Sequence, residues 1–542
     1  MRIKFFSFFF FLIISLIFSA CEEKLPVISA IDPRIGRLGE VLTITGENFG
    51  DEREESYVTI AGVSPTTSSY MEWKQDRILV KIPESGESGL VYVFVGGKKS
   101  NPELFANQAA IPIPVQEDDA GTGPLINSIE PASGAVGSII TIKGRGFGVS
   151  REGSGVYFPW KAENSPLIPA EARQSEMMEA AETEFGYESW SDREIQVRIP
   201  DGAVSGNIEV RTPRGSSRTV SVDITGKPGT KTFKDKHSYA IRYSVDIQVQ
   251  EVSGRNILYL WVPRPIGSSS QRNVQILERS QDAFIENYRG SSLFQLVDLA
   301  PQSNTSISFR CAMDVYTVET SLRAAQIKQN RDSPIHTIYI QPDSLIPSDN
   351  EKIKVLAASI VGKEQNPYLK AQHIYQWLIS KAGIQAEPVN YTVLECIEEK
   401  RCDSYTAALL FCSLARAAGV PVRPIAGVLV NHSQSASKHY WAEFWIDGFG
   451  WAPVDPALGA GVAPETFNLK ENHAAYYFGN IDNQRIAFSQ GQIRVSRMDP
   501  RGRVSVRNRD YALQDLWEEA SGGLDSYSSL WSDIIITGIY TE

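Results

Sequence analysis

Two residues sixteen positions apart, His439 and Asp455, carry the clearest chemical signal in this chain. His439 opens an aromatic run through Tyr440, Trp441, Phe444 and Trp445. The run meets a turn bracketed by Gly448 and Gly450, and the chain returns through Trp451 to Asp455. That pattern predicts a β-hairpin on which imidazole and carboxylate face each other. A carboxylate in that position fixes the tautomer of the imidazole and stabilises its protonated form. Only six histidines occur in 542 residues, so one standing in this frame is informative.

A base of this kind needs a nucleophile, and the best position for one is a helix start. A helix is predicted from about Ser404 to Ala418, with Asp403 as its N-cap and Gly419 and Pro421 as its stop. Its residues are apolar on nearly every side, which belongs to a helix in the middle of a domain. The dipole at such an N-terminus lowers a thiol pKa and stabilises a developing oxyanion. The residues at this start are Cys402, Asp403 and Ser404.

Three co-linear segments resemble the transglutaminase-like superfamily, whose core is papain-like. They are Leu414 to Arg423, His439 to Phe444, and Gly448 to Pro456. The resemblance covers roughly residues 350–460. It implies an α+β core and acyl-transfer chemistry on amides of protein or peptide substrates, by hydrolysis or transamidation, through a nucleophile, His439 and Asp455. The family's cysteine stands twelve residues before the arginine that aligns with Arg416; in this chain that position is Ser404. Cys402 falls where the family has glycine. Three readings stay open. In one, Ser404 lies opposite His439 and the domain is no working thiol enzyme. In another, Ser404 acts through a Ser-His-Asp triad, although a hydroxyl is far harder to deprotonate than a thiol of pKa about 8.5. In the last, a local two-residue shift brings Cys402 to the nucleophile position. If the core is not catalytic, the resemblance leaves an envelope protein whose cleft binds a peptide or serves as a scaffold.

The elements that must position these residues can also be read. Helical periodicity begins near Ser348, with Ile353, Val355, Leu356 and Ile360, then Tyr368, Ala371, Ile374, Tyr375 and Leu378. Residues 348–485 are taken as the core domain and 235–345 as a β-rich connector. The connector's strand end at Leu260 to Pro265 loosely resembles the β-domain ahead of bacterial transglutaminase-like cores. Residues 486–542 alternate enough to form a C-terminal β extension.

Farther upstream the chain repeats itself. Ile31, Asp32 and Pro33 match Ile129, Glu130 and Pro131, and Gly39 to Gly46 matches Gly137 to Gly144, all at an offset of 98. Trp73 and Pro83 match Trp190 and Pro200 at an offset of 117, so about 19 extra residues fall between Lys161 and Phe185. The short alternating strands separated by Gly and Pro predict two all-β sandwiches, at 25–107 and 124–224 with a linker over 106–123. The pattern resembles IPT/TIG domains, which are immunoglobulin-like, and suggests spacer arms.

The N-terminus assigns the compartment. Met1 to Lys4 is basic, Phe5 to Phe18 is almost entirely apolar, and Ser19 and Ala20 precede Cys21. Residues 1–20 read as a secretory signal, and the arrangement resembles a bacterial lipoprotein signal in which Cys21 is lipidated. Lipidation would tether the chain to a membrane of the cell envelope without spanning it. The formal charge of −11 argues against nucleic acid as a partner. Five scattered cysteines make no disulfide scaffold, although Cys396 and Cys402 are close enough in sequence to pair. No His/Cys cluster has metal-ligand spacing, and no cofactor is expected.

Overall fold

The computed structural model describes residues 25–83, 88–107, 123–151, 153–163, 176–181 and 185–541. The expected leader with Cys21, most of the expected linker and most of the insertion after Lys161 lie outside the described residues. Among those described, no helix is long and apolar enough to cross a membrane.

Each repeat folds as two facing sheets. Ile31 pairs with Ile44 in the first copy and Ile129 with Ile142 in the second, so the sequence offset survives as hydrogen-bond register. One repeated glycine has a steric cause. A Cβ on Gly46 would run into the Val27 carbonyl oxygen, and one on Gly144 into that of Leu125.

The connector is an eight-stranded sheet built around one 35-residue strand, Gly229–Pro263. Buried Tyr239, Ile241, Tyr243, Val245, Ile247 and Val249 alternate along it, as one packed face of a strand requires. Asn304–Leu322 pairs along its first half and Ser291–Val297 along its end. The C-terminal strands Glu518–Trp531 and Ile535–Thr541 also pair with it, so the tail completes the connector sheet.

The remaining unit holds helices α1 (Pro334–Tyr339), α2 (Glu351–Val361), α3 (Pro367–Lys381), α4 (Val393–Glu399) and α5 (Ser404–Ala417). Its antiparallel sheet runs in the order Gly450–Val454, Ala436–Ile446, Val422–Val430, Arg485–Gln490. The last strand spans the 485/486 position, so core and extension share it. Helices α2, α3 and α5 follow the sequence periodicity, except that Val355 on α2 is 59% exposed.

From His439 onward, both faces of the Ala436–Ile446 strand are largely buried. Ala442 and Phe444 pack with α5, whereas Trp441 and Trp445 join an apolar cluster with Trp160, Ile199 and Val222 of the second sandwich. Val136 forms a β-bridge to Gly448 at the hairpin turn, and Lys231 ties Asp201 to the Trp451 carbonyl. The second sandwich is thus packed against the His439–Asp455 hairpin, unlike the spacer expected from sequence.

Candidate functional site

Asp455 follows the last hydrogen-bonded pair of the hairpin, Ala442 with Val454. It caps the short Pro456–Gly459 helix through Oδ1, which accepts the Leu458 N–H at 3.0 Å. Its Oδ2 lies 2.8 Å from His439 Nε2. Because an ionised carboxylate only accepts, that contact sets the proton on Nε2 and leaves Nδ1 as the open nitrogen. The imidazole stacks beside Trp441 at 6.2 Å, and its residue is 4% exposed. The spacing of His439 and Asp455 therefore does bring the two together.

The same Oδ2 accepts a second bond, from Arg485 Nη1 at 3.0 Å. Arg485 donates its other end to Asp482 at 2.7 Å and lies over the Trp441 ring. All three charged groups are buried. Burial alone would raise the Asp455 pKa, but His439 and Arg485 outweigh it and hold the carboxyl down to about 2. Burial works against the Arg485 charge, yet Asp482 and Asp455 together hold its pKa above the ordinary value. Sequence reading missed Arg485 and Asp482, which belong to no motif.

The start of α5 is held from several sides. Asp403 caps it by accepting the Thr406 N–H at 2.9 Å, and Thr406 returns a bond to the Asp403 N–H. The other Asp403 oxygen accepts the Val389 N–H and pairs with Arg509 from the C-terminal extension. Arg509 also donates to the Tyr391 carbonyl and covers the Tyr405 ring at 4.4 Å. Arg416, near the other end of α5, donates to the Val422 carbonyl and to Asp343, which ties the helix to the next strand.

Ser404 is the first residue of α5 and is half-buried. Its hydroxyl makes no hydrogen bond among the described residues, so none joins it to His439. Cys402 is bonded to Cys396 of α4 in a disulfide and is fully buried. In that form it offers no thiolate, which removes the basis for a two-residue shift. The pairing that the sequence merely permitted is present. Among the described residues the two free cysteines are buried in the fold; burial pushes the Cys311 thiol up to about 11 and the Cys412 thiol well above its usual range. Among the described residues, no group of three or more His, Cys, Asp or Glu is arranged to hold a metal ion.

Comparison with known proteins agrees with this architecture. The model of the Transglutaminase-like superfamily matches residues 354–456, and that of the IPT/TIG domain matches 26–107 and 124–159. The chain therefore carries a transglutaminase-like core and IPT/TIG domains. An uncharacterized protein of Haemophilus influenzae is 25% identical over 306 residues, which is 48% of this chain and 80% of that protein. A Cytophaga hutchinsonii protein, provisionally described as a cysteine protease, shares 17% identity over 58% of this chain and 93% of its own, with a TM-score of 0.37. The periplasmic domain of TgpA from Pseudomonas aeruginosa shares 12% identity over 44% of this chain and 92% of its own, with a TM-score of 0.25.

Proposed function

We propose that this chain is a lipid-anchored protein of the bacterial cell envelope whose transglutaminase-like core is a non-catalytic binding or scaffold unit. The observation that carries this reading is the disulfide at Cys402. It withdraws the thiol nearest the helix start and leaves Ser404 at the nucleophile position, without a hydrogen bond to His439. In this reading the His439–Asp455–Arg485–Asp482 chain is a structural network that fastens the hairpin to the last strand of the sheet. A disulfide also fits an oxidising compartment outside the cytoplasm, and lipidation at Cys21 would supply the anchor.

A second reading keeps acyl transfer on protein or peptide amides, with Ser404 as nucleophile, His439 as base and Asp455 as its orienting carboxylate. It is favoured by the open Nδ1 and the half-buried hydroxyl at a helix N-terminus. Active-site probes separate the two. Thiol-reactive and serine-reactive reagents are applied to the oxidised chain and the modified residue is mapped. No labelling at Cys402 or Ser404 in a folded protein supports the scaffold reading. Labelling at Ser404 that disappears in His439→Ala overturns it. A Ser404→Cys variant that gains thiol reactivity would show that the frame can still activate a nucleophile.

A further inference from the structure

A cleft of about 880 Å³ opens where the first sandwich, the second sandwich and the connector meet. It is lined by Leu104 and Asn107 from the first, by Tyr157 and Met177 from the second, and by residues 264–268, 271–274 and 287–290 from the connector. Its charge is unlike that of the chain. Arg151, Arg264, Arg272 and Arg289 face it, and among the described residues Glu179 is the only acid in its lining, although the whole chain carries −11.

These arginines are not equivalent. Arg151 engages Glu179 at 3.4 Å, and Arg272 donates to the Met177 carbonyl and lies over the Trp160 ring. Arg264 and Arg289 have no ion-pair partner among the described residues. Arg264 is half-buried and donates to the Glu286 carbonyl at 2.7 Å, while the Glu286 carboxylate pairs with Arg279. The acid that acts on Arg264, Glu286, is already committed to Arg279, so this half-buried guanidinium is only partly compensated and an anionic ligand would offset the remaining cost. Burial holds the Arg264 pKa below its ordinary value, and nearby Glu286 opposes that shift without cancelling it.

Two further features define the ligand. The connector strand Gln271–Arg279, whose first residues line the cleft, is an edge strand among the described residues, and its pairing is interrupted between Arg272 and Gln275. An edge offers main-chain groups to an added strand. The aromatic rings of the lining offer little open face for stacking a sugar. Tyr157 is covered by the Arg211 guanidinium at 4.0 Å, and Tyr288 is buried against Trp261.

We propose that this cleft binds an acidic peptide, with carboxylates on Arg264 and Arg289 and main chain along the Gln271–Arg279 edge. The site is separate from the His439 hairpin and stands whether or not the core is catalytic. The test is fluorescence anisotropy of labelled oligoglutamate and oligoglutamine peptides with the full chain. Oligoglutamate should bind, more weakly as salt rises, and oligoglutamine should not. Arg264→Gln and Arg289→Gln should each weaken oligoglutamate binding about ten-fold. Arg264→Lys, which keeps the charge, should weaken it less. Melting temperatures check that each variant is folded, and Arg289 lies in a half-exposed loop where its loss should not unfold the protein. Absence of oligoglutamate binding, equal binding of both peptides, unchanged binding in folded Arg289→Gln, or displacement by oligogalacturonate better than by unlabelled oligoglutamate would each overturn the proposal.

Discussion

Asp455 Oδ2 accepts from an imidazole and a guanidinium at once, and Asp482 offsets the charge that Arg485 brings. Such a buried set is stable only when each member is matched, because a lone buried charge costs several kcal/mol. The depressed Asp455 pKa makes this testable by pH. Its folded value of about 2 lies below the unfolded carboxylate value, so its stabilisation is complete above about pH 4 and is lost as pH falls toward 2. The difference corresponds to about 2 kcal/mol. Chemical denaturation from neutral to acid pH should show that loss in the native chain, and Asp455→Asn should flatten it. An unchanged acid slope in Asp455→Asn would refute the assignment. His439 and Asp455 were legible because residue type and a glycine turn announce a hairpin. Arg485 was not. It comes thirty residues later and reaches Asp455 only because its strand pairs with Val422–Val430, a non-local contact that periodicity does not encode.

At the scale of elements, the start of α5 is fixed by contacts that the sequence revealed unevenly. Asp403 could be read as its N-cap because capping chemistry is local. Helix α4 was missed, since seven residues give too few turns for a periodic signal. Without α4, the Cys396–Cys402 pairing remained one option among others. Arg509 was beyond reach because it arrives from the far end of the chain. The disulfide closes a short loop, with a sequence separation of 6, onto the residue that leads into Asp403. Loop-closure entropy for so short a loop gives about 2 kcal/mol. A chain with both Cys396→Ser and Cys402→Ser should therefore unfold at lower urea than the oxidised native chain, with an unchanged slope. Equal midpoints would mean that Asp403, Thr406 and Arg509 already hold the helix start without the disulfide.

At the scale of the molecule, the repeat was legible as a fold but its role in packing was not. The repeat register follows from local alternation, whereas the burial of Trp441 and Trp445 against the second sandwich joins residues hundreds of positions apart. This continuity makes the second sandwich part of the support for His439 and Asp455. Gly137 is the point at which to probe it. Its φ is +88°, and a Cβ there would come 2.5 Å from the Trp445 ring. Gly137→Ala should cost about 1–3 kcal/mol from overpacking, with further strain from the left-handed backbone. If sandwich and hairpin unfold as one unit, the variant should move a single transition to lower temperature, as seen both by calorimetry and by tryptophan fluorescence. An independent arm would behave differently: a small early transition would separate from a main one whose midpoint had not moved, and the hairpin would owe nothing to its neighbour.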